Sequence, residues 1–126
     1  MKLWSGVVTP KINESKDFYV RLFGCKVVVD SDWFVLLRLG QTELGFMLPD
    51  HESQAAIFRS AFQGKGVWVS IEVDDVDAEY ARLRSMGVPI ALPIRDEPWG
   101  DRHFSVVDPN GIGVDIVRHS DSPASS

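Results

Sequence analysis

Four tryptophans, three histidines and a scatter of carboxylates are the side chains of this 126-residue sequence best equipped to recognise or transform another molecule. Trp4, Trp33, Trp68 and Trp99 offer broad planar surface and one N–H donor each, but no lone pair, so they can stack on a guest and cannot ligate a metal. The histidines are His51, His103 and His119. His103 stands in a strand-like stretch, and Glu72, Glu97 and Asp115 are the carboxylates that a fold could bring near it. A set of His103, Glu72 and Asp115 is one conceivable metal site; the plainer reading of His103 is a strand residue making hydrogen bonds at a rim. No glycine-rich phosphate loop followed by Lys-Ser/Thr is present. Cys25 begins a strand directly after a helix end, which suits a small buried apolar residue better than a nucleophile. Ser70 has no histidine–carboxylate relay evident in the sequence.

The elements that must position these residues repeat. A strand over 3–9 leads to a helix beginning near Ile12, with Asn13 as the expected cap. That helix carries Phe18, Tyr19, Leu22 and Phe23 as an apolar stripe and stops at Gly24. Strands are expected at 26–30, 33–39 and 43–48. A polar connector over 49–66, with a helical turn somewhere in 53–62, precedes a regular strand at 67–73. Asp74 or Asp75 then caps a helix bearing Val76, Tyr80, Leu83 and Met86, which Gly87 and Pro89 end. Strands follow near 90–92, 102–108 and 112–117. The order β-α-β-β-β thus occurs twice, with Trp4 and Trp68 in equivalent places, a duplication that points to one α+β domain over 1–119. Its parts are module one (1–48), the connector (49–66) and module two (67–119), with 120–126 as a disordered tail.

Strand alternation sorts the side chains by face. Val67, Val69, Ile71 and Val73 should pack on a helix, leaving Trp68, Ser70, Glu72 and Asp74 on the opposite face. Leu44, Phe46 and Leu48 oppose Glu43, Gly45 and Met47 in the same way, and Ile112, Val114 and Ile116 oppose Gly113, Asp115 and Val117. The first strand is ambiguous, since both of its faces are partly apolar. The open faces therefore collect Trp4, Met47, Trp68, Ser70, Glu72 and Asp115 with glycines between them: aromatic walls, room and a few polar anchors, as a pocket needs. The competing reading makes the tryptophans filler or a dimer interface.

Composition excludes several function classes. A formal net charge of -5 and a pI near 5.0 leave no concentrated basic surface for nucleic acid. No apolar run approaches the length of a membrane span. One cysteine rules out an intrachain disulfide and suits a reducing compartment. The stretch Met1-Lys2-Leu3-Trp4-Ser5-Gly6 lacks the apolar core of a secretory leader, so a cytoplasmic location is expected.

The segment Lys16-Asp17-Phe18-Tyr19-Val20-Arg21-Leu22-Phe23-Gly24 resembles the first-helix signature of the vicinal oxygen chelate superfamily. The stretch Glu97-Pro98-Trp99-Gly100-Asp101-Arg102-His103-Phe104, with the turn Asp108-Pro109-Asn110-Gly111, is similar to its second-module hairpin. The resemblance runs from about residue 3 to 118 and is nearest the bleomycin-resistance-like branch of the glyoxalase/bleomycin-resistance/dioxygenase group. It implies curved mixed sheets around a cavity, paired or module-swapped in a homodimer. Metal enzymes of that superfamily take one ligand from the first and last strand of each module. Those places fall here at Trp4, about Gly45, Trp68 and Asp115, and three of the four cannot bind a divalent metal. The resemblance therefore implies a metal-free protein without cofactor that sequesters an aromatic or cationic compound such as an antibiotic. Trp4, Trp33, Trp68 and Trp99 would be its walls, Met47 and Ser70 its lining, and Glu72, Arg102, His103 and Asp115 its polar contacts. The alternatives are a lyase, isomerase or dioxygenase with unusual metal ligands, and an interaction module without a small ligand.

Overall fold

In module one, β1 (Ser5–Val8) feeds helix α1 (Ile12–Phe23), and three strands follow: β2 (Lys26–Asp30), β3 (Phe34–Leu39) and β4 (Thr42–Met47). Module two repeats the order with β5 (Trp68–Glu72), α2 (Val76–Ser85), β6 (Leu92–Asp96), β7 (Arg102–Val107) and β8 (Gly113–Arg118). This computed structural model describes residues 1–120, so the tail expected to be disordered lies, apart from Ser120, outside the described residues. Among them, no helix is long and apolar enough to cross a membrane. The chain divides into two compact units, Met1–Lys65 and a second beginning at Gly66.

Each unit holds one four-stranded mixed sheet, ordered β1-β4-β3-β2 in the first and β5-β8-β7-β6 in the second. The first strand of each module pairs in parallel with its last, and the remaining pairs are antiparallel. Neither sheet closes, so β1, β2, β5 and β6 are edges.

Helix α1 lies on β3 and β4 because Ile12, Tyr19 and Leu22 share one stripe and are almost wholly buried. Tyr19 meets the ring of Phe46 at 5.6 Å. Burying each such side chain stabilises the fold by about 1.5–3 kcal/mol. Gly24 ends the helix at φ 69°, a left-handed conformation, and its N–H closes on the Val20 carbonyl. Asn13 is not the cap: the helix begins at Ile12, and Thr9 Oγ1 accepts from the Lys11 N–H just ahead of it. In α2, Asp75 is the cap, accepting from the Ala78 N–H at 3.0 Å. Val76 and Leu83 are buried there, and Tyr80 meets Phe104 edge-on at 4.9 Å.

The helical turn expected in the connector is a 3-10 turn over Ala56–Phe58. β1 is shorter than the sequence reading, Ser5–Val8 instead of 3–9, and β6 is longer, Leu92–Asp96 instead of ending near residue 92. Pairing explains the longer β6: Arg95 and Asp96 find partners in His103 and Arg102 across a register shift, a gain invisible to local periodicity.

Candidate functional site

Module one contains an apolar pocket of about 520 Å3 on the sheet face away from α1. Its centre is made by absence: Gly6 and Gly45 stand opposite each other in β1 and β4. A Cβ at Gly45 would lie 3.3 Å from Trp4 Cζ3 and 3.5 Å from two ring atoms of Phe34, so these rings overhang the glycine. Trp4 and Trp33 line the pocket with Phe34 and Met47, as do Gln54 and Phe58 from the connector. Trp33 is held by a stack on His51, with ring centroids 3.9 Å apart. Of the expected binding residues, the pocket therefore gathers Trp4, Trp33 and Met47.

Module two presents a different open face. Pairing aligns Trp68, Gly113 and Val107 in one row, Ser70, Asp115 and Ser105 in the next, and Glu72, Val117, His103 and Arg95 in the third. Trp68 is 74% exposed and its Nε1–H donates to Ser70 Oγ. His103 is clasped from both sides: Nδ1 lies 2.7 Å from Asp115 Oδ1 and Nε2 lies 2.7 Å from Glu97 Oε2. Ser105 Oγ donates to the same Asp115 oxygen, and Arg95 Nε donates to the same Glu97 oxygen. Glu72 does not join this cluster. It meets His119 Nε2 at 2.8 Å, while Asp101 holds His119 Nδ1 and also accepts from Trp99 Nε1. Arg102 turns to the helix side, donating to Asp77 of α2 and to Asp96.

Burial works against a charged His103, but Glu97 and Asp115 more than offset it and raise its pKa above the ordinary histidine value. The hydrogen bond from His103 in turn lowers the pKa of Glu97. His119 is raised in the same way by Asp101 and Glu72. With carboxylates on both ring nitrogens, each histidine is arranged as a cation that donates twice, which leaves no lone pair for ligation or for a general base. Burial pushes the Cys25 thiol up to about 11, which keeps it protonated and unreactive.

The ligand positions implied by the resemblance can be placed by register. Gly6 opposes Gly45 and Ser70 opposes Asp115, with Trp4 two residues ahead of Gly6, just before β1, and Trp68 two residues ahead of Ser70, at the start of β5. Indole and glycine supply no lone pair there, and Asp115 Oδ1 is already engaged by His103 and Ser105. Among the described residues, no three His, Cys, Asp or Glu side chains are arranged to hold a metal ion. These residues do not fit a divalent metal centre.

Phe34, Gln54 and Phe58 escaped the sequence reading. Phe34 shares the face of Leu36 and Arg38 by strand alternation, a signal obscured because both faces of β3 begin apolar. Gln54 and Phe58 come from a connector without periodicity.

Comparison with known proteins bears on this geometry. A family model for the Glyoxalase/Bleomycin resistance protein/Dioxygenase superfamily matches residues 4–116. An uncharacterized protein of Mycobacterium bovis is 38% identical over 48 residues, which cover 38% of this chain and 32% of that one. The chain thus spans under a third of the length of the curated relatives it matches. Among solved structures, lactoylglutathione lyase from Agrobacterium tumefaciens superposes with a TM-score of 0.77 at 22% identity, covering 92% of each chain. A glyoxalase/bleomycin resistance protein/dioxygenase from Nocardioides gives 0.80 at 20%, covering 97% of this chain and 85% of that one. TioX from Micromonospora sp. ML1 gives 0.74 at 21%, covering 95% and 100%. At these identities the structures establish likeness of fold and leave activity open. With two βαβββ modules and a family match across nearly all of its folded length, the chain belongs to the glyoxalase/bleomycin resistance protein/dioxygenase superfamily.

Proposed function

We propose that this protein is a metal-free, bleomycin-resistance-like binding protein that sequesters a small planar aromatic compound, with antibiotics among the candidates. The observation that carries this reading is the module-one pocket. At about 520 Å3 it has the size of a small-molecule site, and its walls are indole, phenyl and thioether. Each aromatic pair formed with a guest adds about 0.5–1.5 kcal/mol beyond the area buried. The competing enzyme reading needs another set of metal ligands in place of Trp4, Gly45 and Trp68, and among the described residues no three His, Cys, Asp or Glu side chains are arranged to hold a metal ion.

The test is a tryptophan-fluorescence titration with a panel of planar aromatic antibiotics and bleomycin, alongside elemental analysis. Saturable quenching without metal, weakened about tenfold or more in Trp4→Ala, supports the reading. Stoichiometric metal with no response to the panel would move the assignment to an enzyme with unconventional ligands. The same reading includes a homodimer, because both edges of each sheet are unpaired and an unpaired edge is a template for association. Sedimentation of the purified protein as a monomer would remove that part. A lone thiol without a disulfide suits a reducing compartment such as the cytoplasm.

A further inference from the structure

The connector between the modules behaves as a strap along the rim of the module-one pocket. Its start is fixed where the Leu48 N–H donates to the Trp33 carbonyl, and its far end where the Phe62 N–H donates to the Val8 carbonyl. Between these points Arg59 gathers the chain, donating through Nε to the Gln54 carbonyl at 2.6 Å and through its terminal nitrogen to the Glu52 carbonyl at 3.1 Å. The Gln54 N–H closes a turn onto the His51 carbonyl at 3.0 Å, and His51 stacks on Trp33. Six interactions thus place one side chain, Gln54, at the pocket wall.

That side chain is the one amide among the pocket's lining residues, the two indoles bringing only an N–H donor each, and no charged side chain lines the wall. Gln54 Nε2 gives one hydrogen to Ser53 Oγ at 3.1 Å. Its second N–H and its Oε1 carry no hydrogen bond among the described residues. A primary amide with one donor and one acceptor free matches, side by side, an acceptor and a donor on the edge of a planar ring, as in a lactam. A charged guest would shed its hydration against walls that return no countercharge.

We infer that Gln54 is the specificity-determining residue of this pocket, and that it selects uncharged planar heteroaromatic compounds bearing an adjacent donor and acceptor, the lactam edge. The inference rests on the proposed binding function and narrows its ligand from a small planar aromatic compound to a neutral, amide-like one. A guest lacking that edge leaves the amide half unpaired; a guest carrying it completes two hydrogen bonds.

The test uses two fused bicyclic probes of matched size, 2-quinolinone, which has the lactam edge, and naphthalene, which has no polar atom. Both are titrated into the intact protein by tryptophan fluorescence. The expected result is that 2-quinolinone binds about tenfold more tightly than naphthalene, the worth of one to two net neutral hydrogen bonds. In Gln54→Leu, which keeps the bulk and removes the amide, that preference should vanish. Should naphthalene bind the wild type as tightly as 2-quinolinone, or should the preference survive in Gln54→Leu, the role of Gln54 is overturned and the pocket reading stands. Should neither probe bind the wild type, the pocket reading itself fails and takes this inference with it. Because the two probes are compared first on unmodified protein, the result does not depend on how the variant folds.

Discussion

Replacing Gly45 with valine should close the module-one pocket from its floor. The first added atom, Cβ, would already stand 3.3 Å from Trp4 Cζ3 and 3.5 Å from Phe34 Cε2 and Cζ. Alanine is tolerable, since rings that yield a few tenths of an ångström are offset by the about 0.5–1 kcal/mol gained when glycine leaves a strand. Valine's two further methyls have nowhere to go but into the rings or the pocket. Overpacking of this kind costs about 1–3 kcal/mol, and strand propensity returns up to about 1 kcal/mol, so stability should fall by no more than about 3 kcal/mol. Binding should suffer more, because the added methyls and the displaced Trp4 occupy the volume a guest needs. We expect at least a tenfold rise in the dissociation constant of an aromatic ligand, about 1.4 kcal/mol or more. The control is Gly113→Val in β8, where an added Cβ meets nothing within 4 Å. That variant should bind normally and unfold at an equal or higher urea concentration. Fluorescence titration and urea unfolding report both quantities on both variants. Wild-type affinity in Gly45→Val, or equal weakening in Gly113→Val, would refute the claim that the Gly6–Gly45 gap is the floor of the binding site.

Stability should also fall on both sides of neutral pH. The folded pKa of His103 is raised, so its clasp is fully favourable below the ordinary histidine value of 6.5 and is lost as pH rises through the folded value. His119 behaves alike, and His103→Gln should flatten part of the alkaline decline in urea midpoint. Glu97 and Asp101 have lowered pKa values, so their contribution is complete above the ordinary carboxylate range and fades as pH falls through their folded values. At the β7–β8 turn, Asp108 is 4% exposed and its Oδ1 accepts from the N–H groups of Asn110 and Ile112 at 2.8 and 3.0 Å. Asp108→Ala should cost about 1–3 kcal/mol, chiefly by orphaning the buried Ile112 donor, read as a lower urea midpoint at unchanged slope. Dialysis against a chelator should leave the thermal midpoint and ligand affinity unchanged; a fall in either would show a structural or functional cation.

The duplication and the helices were legible because their signals are local. Tyr19 and Leu22 lie on one helical stripe, Gly24 and Gly87 adopt the left-handed stops their residue type suggests, and Val69 and Ile71 alternate with Trp68, Ser70 and Glu72. The His103 cluster was only half legible. Asp115 follows from register, but Glu97 reaches His103 because β6 shifts register between Leu92 and Arg95, which moves Arg95 and Glu97 onto the face that simple alternation gives to Ile94 and Asp96. Arg102 was expected as a ligand anchor; its neighbour His103 takes the open face, so alternation sends Arg102 toward α2 and Asp77. Gln54 reaches the pocket through Arg59 and main-chain bonds of the connector, long-range facts that no periodicity encodes.

The four indole N–H groups offer the most direct test of the central claim, since each gives its own signal in a 1H–15N correlation spectrum of the protein. Titration with 2-quinolinone should shift the resonances of Trp4 and Trp33, which line the pocket, and leave those of Trp68 and Trp99 in place. Shifts confined to Trp68 and Trp99, or no shift at any indole at saturating probe, would contradict the assignment of the module-one pocket as the binding site.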